Sequence, residues 1–466
     1  MVRLCGPCTA EIANGQGEQA GEVSSSSVIL QSRLTKGRVL IDDDLPGLAG
    51  FARFELSSKS SFADSITTEI LPARAEQDFI VKTKVNDLQP GTRYFYRVVF
   101  GVAKDDLIHS GPTRTFRTHA PASTDPASLV VVTGMNYWKY HSQTPGADKS
   151  LGYPGLVSMA KLKPDYFVGT GDNVYYDSPR TLSKSKKGLG HEYARTQAQL
   201  RQKWHVQFVQ KRFADLFGQV GVYWEKDDHD HRTNDCDNQG DYAPSSQLGI
   251  DTFKEQVPVT DPKDPDAKTY RTYRISKHLQ IWLPEGRDYR SPNKSPDGPG
   301  KVLWGKEQLA WMKNTLRVSD ATWRVIISPT PLIGPDDSYK RDNHTNIKGF
   351  QHEGDAFKQW MIDQGLDKNT FFACGDRHWQ YHSVAPNGLE EFSCGALVDA
   401  NARAGRLPGD KKSTDPDAKI VQPYVQTSKT ISGGFLRIVA EKTDVPELRF
   451  EFYDEQGTLL YTHTKK

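Results

Sequence analysis

The sequence predicts an α+β chain in two parts, an all-β sandwich followed by a larger layered domain of interleaved strands and helices. Three observations carry this. Residues 20–118 hold short alternating runs separated by turn clusters. A linker by composition, Ala120-Pro121-Ala122-Ser123-Thr124-Asp125-Pro126, follows them. Beyond it, continuous apolar runs alternate with stripes at helical spacing.

In the first part, Phe79, Val81, Thr83 and Val85 alternate, as do Tyr94, Tyr96, Val98 and Phe100. Between them lies the turn cluster Asn86-Asp87-Leu88-Gln89-Pro90-Gly91-Thr92. Short strands at this spacing fit a β-sandwich of about 100 residues. In the second part, Leu129-Val130-Val131-Val132 is a buried-strand run. Residues 165–172 form a strand running into a Gly-rich loop. Helices are expected at Leu200, Trp204 and Phe208, at Leu309, Met312 and Leu316, and at Phe357, Trp360 and Met361. Strands are expected at 322–328, 370–374 and 435–440, and on the alternating Leu448, Phe450 and Phe452. The division is a flexible segment over 1–19, a sandwich over 20–119 and a second domain over 127–466. No fixed-period repeat is present.

A chain of 466 residues is too long for one ordinary core. Its net charge of +2 offers no basic field for nucleic acid or a membrane surface. An anionic substrate therefore has to be met by local charge, chiefly metal. No run approaches the ~18 apolar residues of a membrane-spanning helix. Met1-Val2-Arg3-Leu4-Cys5 lacks the apolar core of a secretory signal, so the chain reads as cytosolic or as starting after a removed signal. Five cysteines are too few and too odd in number for a disulfide framework. Cys5-Gly6-Pro7-Cys8 has redox spacing, but no strand precedes it to place a thiol at a helix start, and a flexible end or local disulfide is the better reading.

Acidic and His-bearing loops fall where strands end, the place where open α/β sheets bind ligands. Gly171-Asp172-Asn173-Val174-Tyr175-Tyr176-Asp177 follows one strand. Asp227-Asp228-His229-Asp230-His231 follows Tyr223-Trp224, and Gly375-Asp376-Arg377-His378 follows a third apolar run. Each alone reads equally as a turn or a solvated loop. Together they supply the carboxylate and imidazole ligands that hard or borderline divalent ions take. Two ions roughly 3.5–4 Å apart can hold the attacking and leaving oxygens of an in-line displacement at phosphorus.

The order Gly171-Asp172-x-x-Tyr175, Asp227-Asp228-His229, Ser328-Pro329-Thr330-Pro331, Gly375-Asp376-Arg377-His378 resembles the alkaline phosphatase D family of metallophosphoesterases. That family carries an N-terminal β-sandwich, and Leu88-x-Pro90-Gly91-Thr92-x-Tyr94-x-Tyr96 resembles a late-strand signature of fibronectin type III domains, in which the Tyr hydroxyl ties down the turn. The resemblance implies a layered αββα catalytic domain. It implies that Asp172 bridges two ions, that Tyr175 and His378 complete the first, and that Asp228 and Asp376 complete the second. It implies that His229 donates to the phosphoryl oxygen or the leaving group, and that Arg287 is a phosphate clamp, an ordinary ion pair being the other reading. The family often supplies a Cys thiolate after the first strand. Here Val132-Thr133-Gly134-Met135-Asn136-Tyr137-Trp138 has none, so Asn136 is the expected oxygen ligand. Ca, Mg, Mn or Zn is then expected in preference to iron.

The expected function is hydrolysis of a small-molecule phosphate monoester or diester by a metal-bound hydroxide, in a periplasmic or secreted setting as in the family. The alternatives are a cell-surface binding protein with a structural metal and a hydrolase of another oxyanion ester such as sulfate. Asp336, Asp337 and residues 341–344 are pocket-lining or exposed-loop candidates. Asn343-His344-Thr345 fits a glycosylation acceptor, His382 a residue orienting a metal ligand, and Trp379 and Tyr381 packing. Oligomeric state is not readable.

Overall fold

The structure is a computed structural model that describes residues 11–143, 148–179, 193–442 and 444–466. Cys5 and Cys8 lie outside the described residues. Two large sheets stack face to face, with helices on both outer faces, giving the layered α+β architecture expected. The nine-stranded sheet runs, edge to edge, Leu459–Lys465, Pro446–Asp454, Gly434–Lys442, Ala127–Val132, Tyr166–Thr170, Gly221–Glu225, Glu18–Gly21, Val28–Arg33 and Ile80–Val85. The seven-stranded sheet runs Arg271–Arg274, Leu279–Leu283, Trp323–Ser328, Thr370–Cys374, Glu390–Cys394, Gln380–Val384 and Val421–Val425. The centre of each sheet is parallel.

Period-two side chains explain the layering. Leu129, Val131 and Val168 point between the sheets and meet Ile281, Val325 and Ile327 from the other side. Their neighbours Val130, Val132 and Phe167 point outward onto Leu200, Trp204 and Phe208 of the helix Gln197–Phe208. On the far face, Trp282, Ile326 and Phe372 meet Met312 and Leu316 of Lys306–Val318, and Phe357 and Met361 of Gln351–Asp363. The helix Gln197–Phe208 starts with a capping box in which Thr196 and Gln199 satisfy each other's backbone.

The N-terminal β region differs from a free-standing sandwich. Its strands Gly50–Ser57, Ile66–Thr67, Leu71–Ala73, Arg93–Gly101, His109–Ser110 and Arg114–Arg117 form a separate six-stranded sheet. Ile12–Ala13 and Thr35–Lys36 pair as a two-stranded sheet, and the remaining strands are the last three of the nine-stranded sheet. Ala20 and Gly21 pair in parallel with Gly221 and Val222. Residues 11–19, which the sequence places in a flexible end, include the strand Ile12–Ala13 and buried Glu18, whose carboxylate is paired with Arg114 at 3.0 Å. The pairing of Ala20 and Gly21 with a strand about 200 positions on leaves no local mark in composition. Gly21 is required at the seam, because a Cβ there would come within 2.4 Å of the Pro258 carbonyl oxygen. The Tyr94 hydroxyl accepts the Gln89 N–H at 2.9 Å, the turn tie that the fibronectin-like signature implies. No helix among the described residues is long and apolar enough to cross a membrane.

Candidate metal centre

The parallel strands of both sheets end at one rim, and their following loops converge there. After Tyr166–Thr170 the chain enters the left-handed region at Gly171 (φ 76°) and again at Asp172 (φ 53°). Asp376 repeats this after Thr370–Cys374, at φ 56°. Non-glycine residues occupy this region at a cost of order 1–3 kcal/mol and persist where surroundings fix them. Here the turn aims each carboxylate back over the strand ends. Gly171 is needed for a second reason: a Cβ would lie 2.4 Å from that of Asp227. Asp230 stitches the first two loops together, its carboxylate accepting N–H groups of Asp227 (2.7 Å) and Asn173 (3.1 Å) and the Asn173 amide (2.7 Å).

The rim encloses an open cleft of about 610 Å³, lined by Asn136, Asp172, Tyr175, Asp228, His229, Asp376 and His378 among others. Seven of the eight site residues expected from sequence therefore come together. Tyr175 Oη donates to Asp172 Oδ2 at 2.8 Å, and His378 Nε2 lies 3.0 Å from the same oxygen and 3.2 Å from Tyr175 Oη. Asp172, Asp228 and His229 each bring a ligand atom within 4.8 Å of the others, and Asp228, Asp235 and Asp342 form a second such group sharing Asp228. Asn136 lines the cleft, but its Oδ1 also accepts the Lys139 N–H at 3.0 Å, capping the helix Tyr137–Gln143.

Electrostatics favour a cation. Asp172 is buried, its Oδ1 has no hydrogen-bond partner, and desolvation pushes its carboxyl well above the usual range. Burial, then the Asp172 charge, raises the Tyr175 phenol. Burial lowers His378 well below an ordinary histidine, leaving a neutral imidazole with a lone pair for a metal. Burial also opposes charge on Asp228, but the His229 and Arg287 charges outweigh it and hold that carboxyl below its usual range. His229 moves the other way. Burial acts against its imidazolium, but Asp177, Asp228 and Asp172 outweigh it and raise its pKa well above the ordinary value. Buried carboxylates, a phenol and a neutral imidazole around one space fit divalent cations.

Arg287 is the exception. It is fully buried, its Nε donates to Asp227 Oδ1 at 2.7 Å and its Nη1 to the Cys236 carbonyl at 2.7 Å, and it does not line the cleft. Its fork is spent on the loop behind Asp228, so the ion-pair reading describes it better than the clamp. Among the described residues, the lysines and arginines at the cleft are Lys139, Lys340 and Arg403. Lys340 sits 2.8 Å from Asp235, and Arg403 lies over the Trp379 ring. Asp177, whose Oδ1 is 2.6 Å from His229 Nδ1, and Asn401, which donates to Tyr175 Oη at 2.7 Å, were also missed as site residues. Asp177 was legible, ending the same Gly171–Asp177 loop, whereas Lys340, Asn401 and Arg403 carry no local signal.

Among the secondary candidates, Asp337 lines the cleft and Asp342 joins the acidic group, while Asp336 pairs with Arg377 at 2.8 Å. Asn343 is fully buried and bonded to Asp336, which rules out its side chain as a glycan acceptor in this fold. Trp379 and Tyr381 are core residues. His382 orients no ligand of this site; its ring nitrogens face Tyr461 and Glu390.

Two family models match the chain: the PhoD-like phosphatase over residues 129–445, and the N-terminal domain of PhoD-like phosphatases over residues 9–117. A Bacillus subtilis (strain 168) protein described as alkaline phosphatase D is 23% identical over 456 residues, covering 88% of this chain and 73% of that protein. A solved structure of PhoD superposes with a TM-score of 0.71 at 18% identity, covering 97% of this chain and 89% of the other. At that identity the likeness concerns the fold alone.

Proposed function

Since the chain belongs to the PhoD-like phosphatases and is a phosphoester hydrolase of the alkaline phosphatase D kind, we propose that it works through a two-metal centre in the rim cleft. The observation that carries the proposal is the convergence of Asp172, Tyr175, Asp228, Asp376 and His378 from separate loops on one space. In this reading Tyr175, His378 and Asn136 would hold one ion, Asp228 and Asp376 would hold the other, and Asp172 would serve both. When bound, such ions lower the pKa of a coordinated water and offset charge on the phosphoryl oxygens.

His229 is then the proton donor to the departing oxygen. Its Nδ1 is held by Asp177, which fixes the ring and favours the charged form. The Tyr175 ring, with its centroid 4.2 Å from that of His229, limits the imidazole from a second side. Lys340 and Arg403 supply positive charge for a substrate oxygen. An open cleft of this size accepts a small phosphate ester and leaves room for a diester's second arm.

Purification without chelator, elemental analysis and parallel assays on a phosphate monoester, a phosphate diester and a sulfate ester test the reading. The expected outcome is divalent metal in the purified protein, turnover of a phosphate ester and loss of that turnover on chelation. The His229→Ala variant is expected to keep its metal and lose about 10²–10⁴ in kcat. Undiminished turnover in that variant overturns the role of His229, and undiminished turnover after complete metal removal overturns the centre.

A further inference from the structure

Away from the cleft, a second cluster of ligand-type side chains gathers where the two sheets meet. His382 lies on Gln380–Val384 and Glu390 on Glu390–Cys394, neighbouring strands of the seven-stranded sheet. His463 lies on Leu459–Lys465, the edge strand of the other sheet. His382 Nε2 is 2.9 Å and His463 Nε2 is 3.0 Å from the same oxygen, Glu390 Oε2. The two imidazole centroids are 4.4 Å apart. None of the three lines the catalytic cleft.

The surroundings orient these atoms. The His382 ring stacks on Phe392 with centroids 4.4 Å apart, and its Nδ1 is 3.0 Å from the Tyr461 hydroxyl. With Nδ1–H donating to that hydroxyl, Nε2 presents a lone pair to the shared space, the arrangement by which an outer partner fixes a ligating histidine. The His463 Nε2 atom is buried and makes no hydrogen bond despite its closeness to Glu390. Lys465 occupies the other carboxylate oxygen, Oε1, at 2.5 Å and leaves Oε2 to the imidazoles. Ligand atoms of a tetrahedral zinc site stand about 3.3 Å apart, given bonds of about 2.0 Å. The two nitrogen–oxygen distances reach that by an outward shift of a few tenths of an ångström, and all three ligand atoms lie within 4.8 Å of one another.

We propose that His382, Glu390 and His463 form a binding site for a borderline divalent transition metal ion, with zinc the best match, distinct from the catalytic centre. Two imidazoles and one carboxylate suit zinc, whereas calcium and magnesium call for all-oxygen shells. A fourth position is left to water. The ion would fasten the carboxy-terminal edge strand to the opposite sheet. This inference does not depend on the proposed two-metal mechanism.

The test is zinc content after equilibration with Zn²⁺ and removal of free ion, in the wild-type protein and in His463→Ala. The variant is expected to hold one zinc fewer per chain while phosphoesterase activity persists. Equal zinc in two folded proteins overturns the proposal. A second measurement uses the wild type alone and is independent of how the variant folds. Diethyl pyrocarbonate modification of His463, mapped by mass spectrometry, is expected to slow about tenfold at a Zn²⁺ concentration about ten times Kd and to be unaffected by Mg²⁺. A rate at His463 that Zn²⁺ leaves unchanged overturns the site.

Discussion

At the scale of single residues, the informative pair is Asp177 and His229. Their 2.6 Å contact makes Asp177 a positioning residue that sets ring orientation and charge. Asp177→Asn is expected to lower kcat by about 10²-fold with KM little changed, measured on a simple phosphate ester under saturating metal. An unaltered kcat would remove Asp177 from the mechanism. A second residue gives a prediction about stability. Burial, then the nearby Asp399 charge, pushes the Glu455 carboxyl up to about 7 from an ordinary 4.5. The folded state therefore binds this proton more tightly than the unfolded state. Its contribution is fully present below pH 4.5, declines as pH rises toward 7, and stays lost above that. Glu455→Gln keeps an acceptor for the Asp399 N–H. It is expected to flatten that decline and to melt higher than the wild type above pH about 7, as read by thermal unfolding across pH. A wild-type-like slope would refute the assignment. The acidic and histidine residues of the cleft were readable because metal ligands need particular atoms at loop positions after strands. Arg287 was not, because whether a guanidinium meets substrate or a buried carboxylate is decided by Asp227, which is 60 positions away in the chain.

At the scale of elements, alternation and helical stripes located most strands and helices, because each buries one face against a neighbouring layer. The short turns between strand and cleft were less legible. Gly171 sits at φ 76° with no room beside Asp227. Gly171→Ala is expected to destabilise the protein by about 1–3 kcal/mol and to displace Asp172, lowering both the thermal midpoint and turnover. A variant with an unchanged midpoint would show that the loop has slack. The adjoining Asp172 and Asp376 also take left-handed conformations. No pattern in a single sequence marks an aspartate held that way, although the preceding glycine in both Gly171-Asp172 and Gly375-Asp376 hints at a tight turn.

At the scale of the whole molecule, the fold class was legible and the seam was not. Composition places a linker at 120–126, yet the strand Glu18–Gly21 is an internal member of the nine-stranded sheet. The seam is reinforced by Tyr223 Oη donating to the Val23 carbonyl at 2.8 Å and by Arg271 on Glu22 at 2.8 Å. Deleting residues 1–119 should therefore expose the paired side of Gly221–Glu225 and the apolar faces beside it. The expected outcome is an insoluble or unfolded product, judged by solubility, circular dichroism and activity. A soluble, active remainder would show that the shared sheet is dispensable.

The shared sheet also sets a timetable. Synthesis proceeds from the amino terminus, so the strand Glu18–Gly21 leaves the ribosome about 200 residues before its parallel partner, Gly221–Glu225. At roughly 5–20 residues per second, that flank waits on the order of 10–40 seconds with its backbone donors and acceptors open. A newborn chain in this interval is a template for strand addition by any neighbour. Its need for a protecting chaperone is thus greatest before Gly221–Glu225 emerges, well before the loop bearing Asp376 and His378 is made.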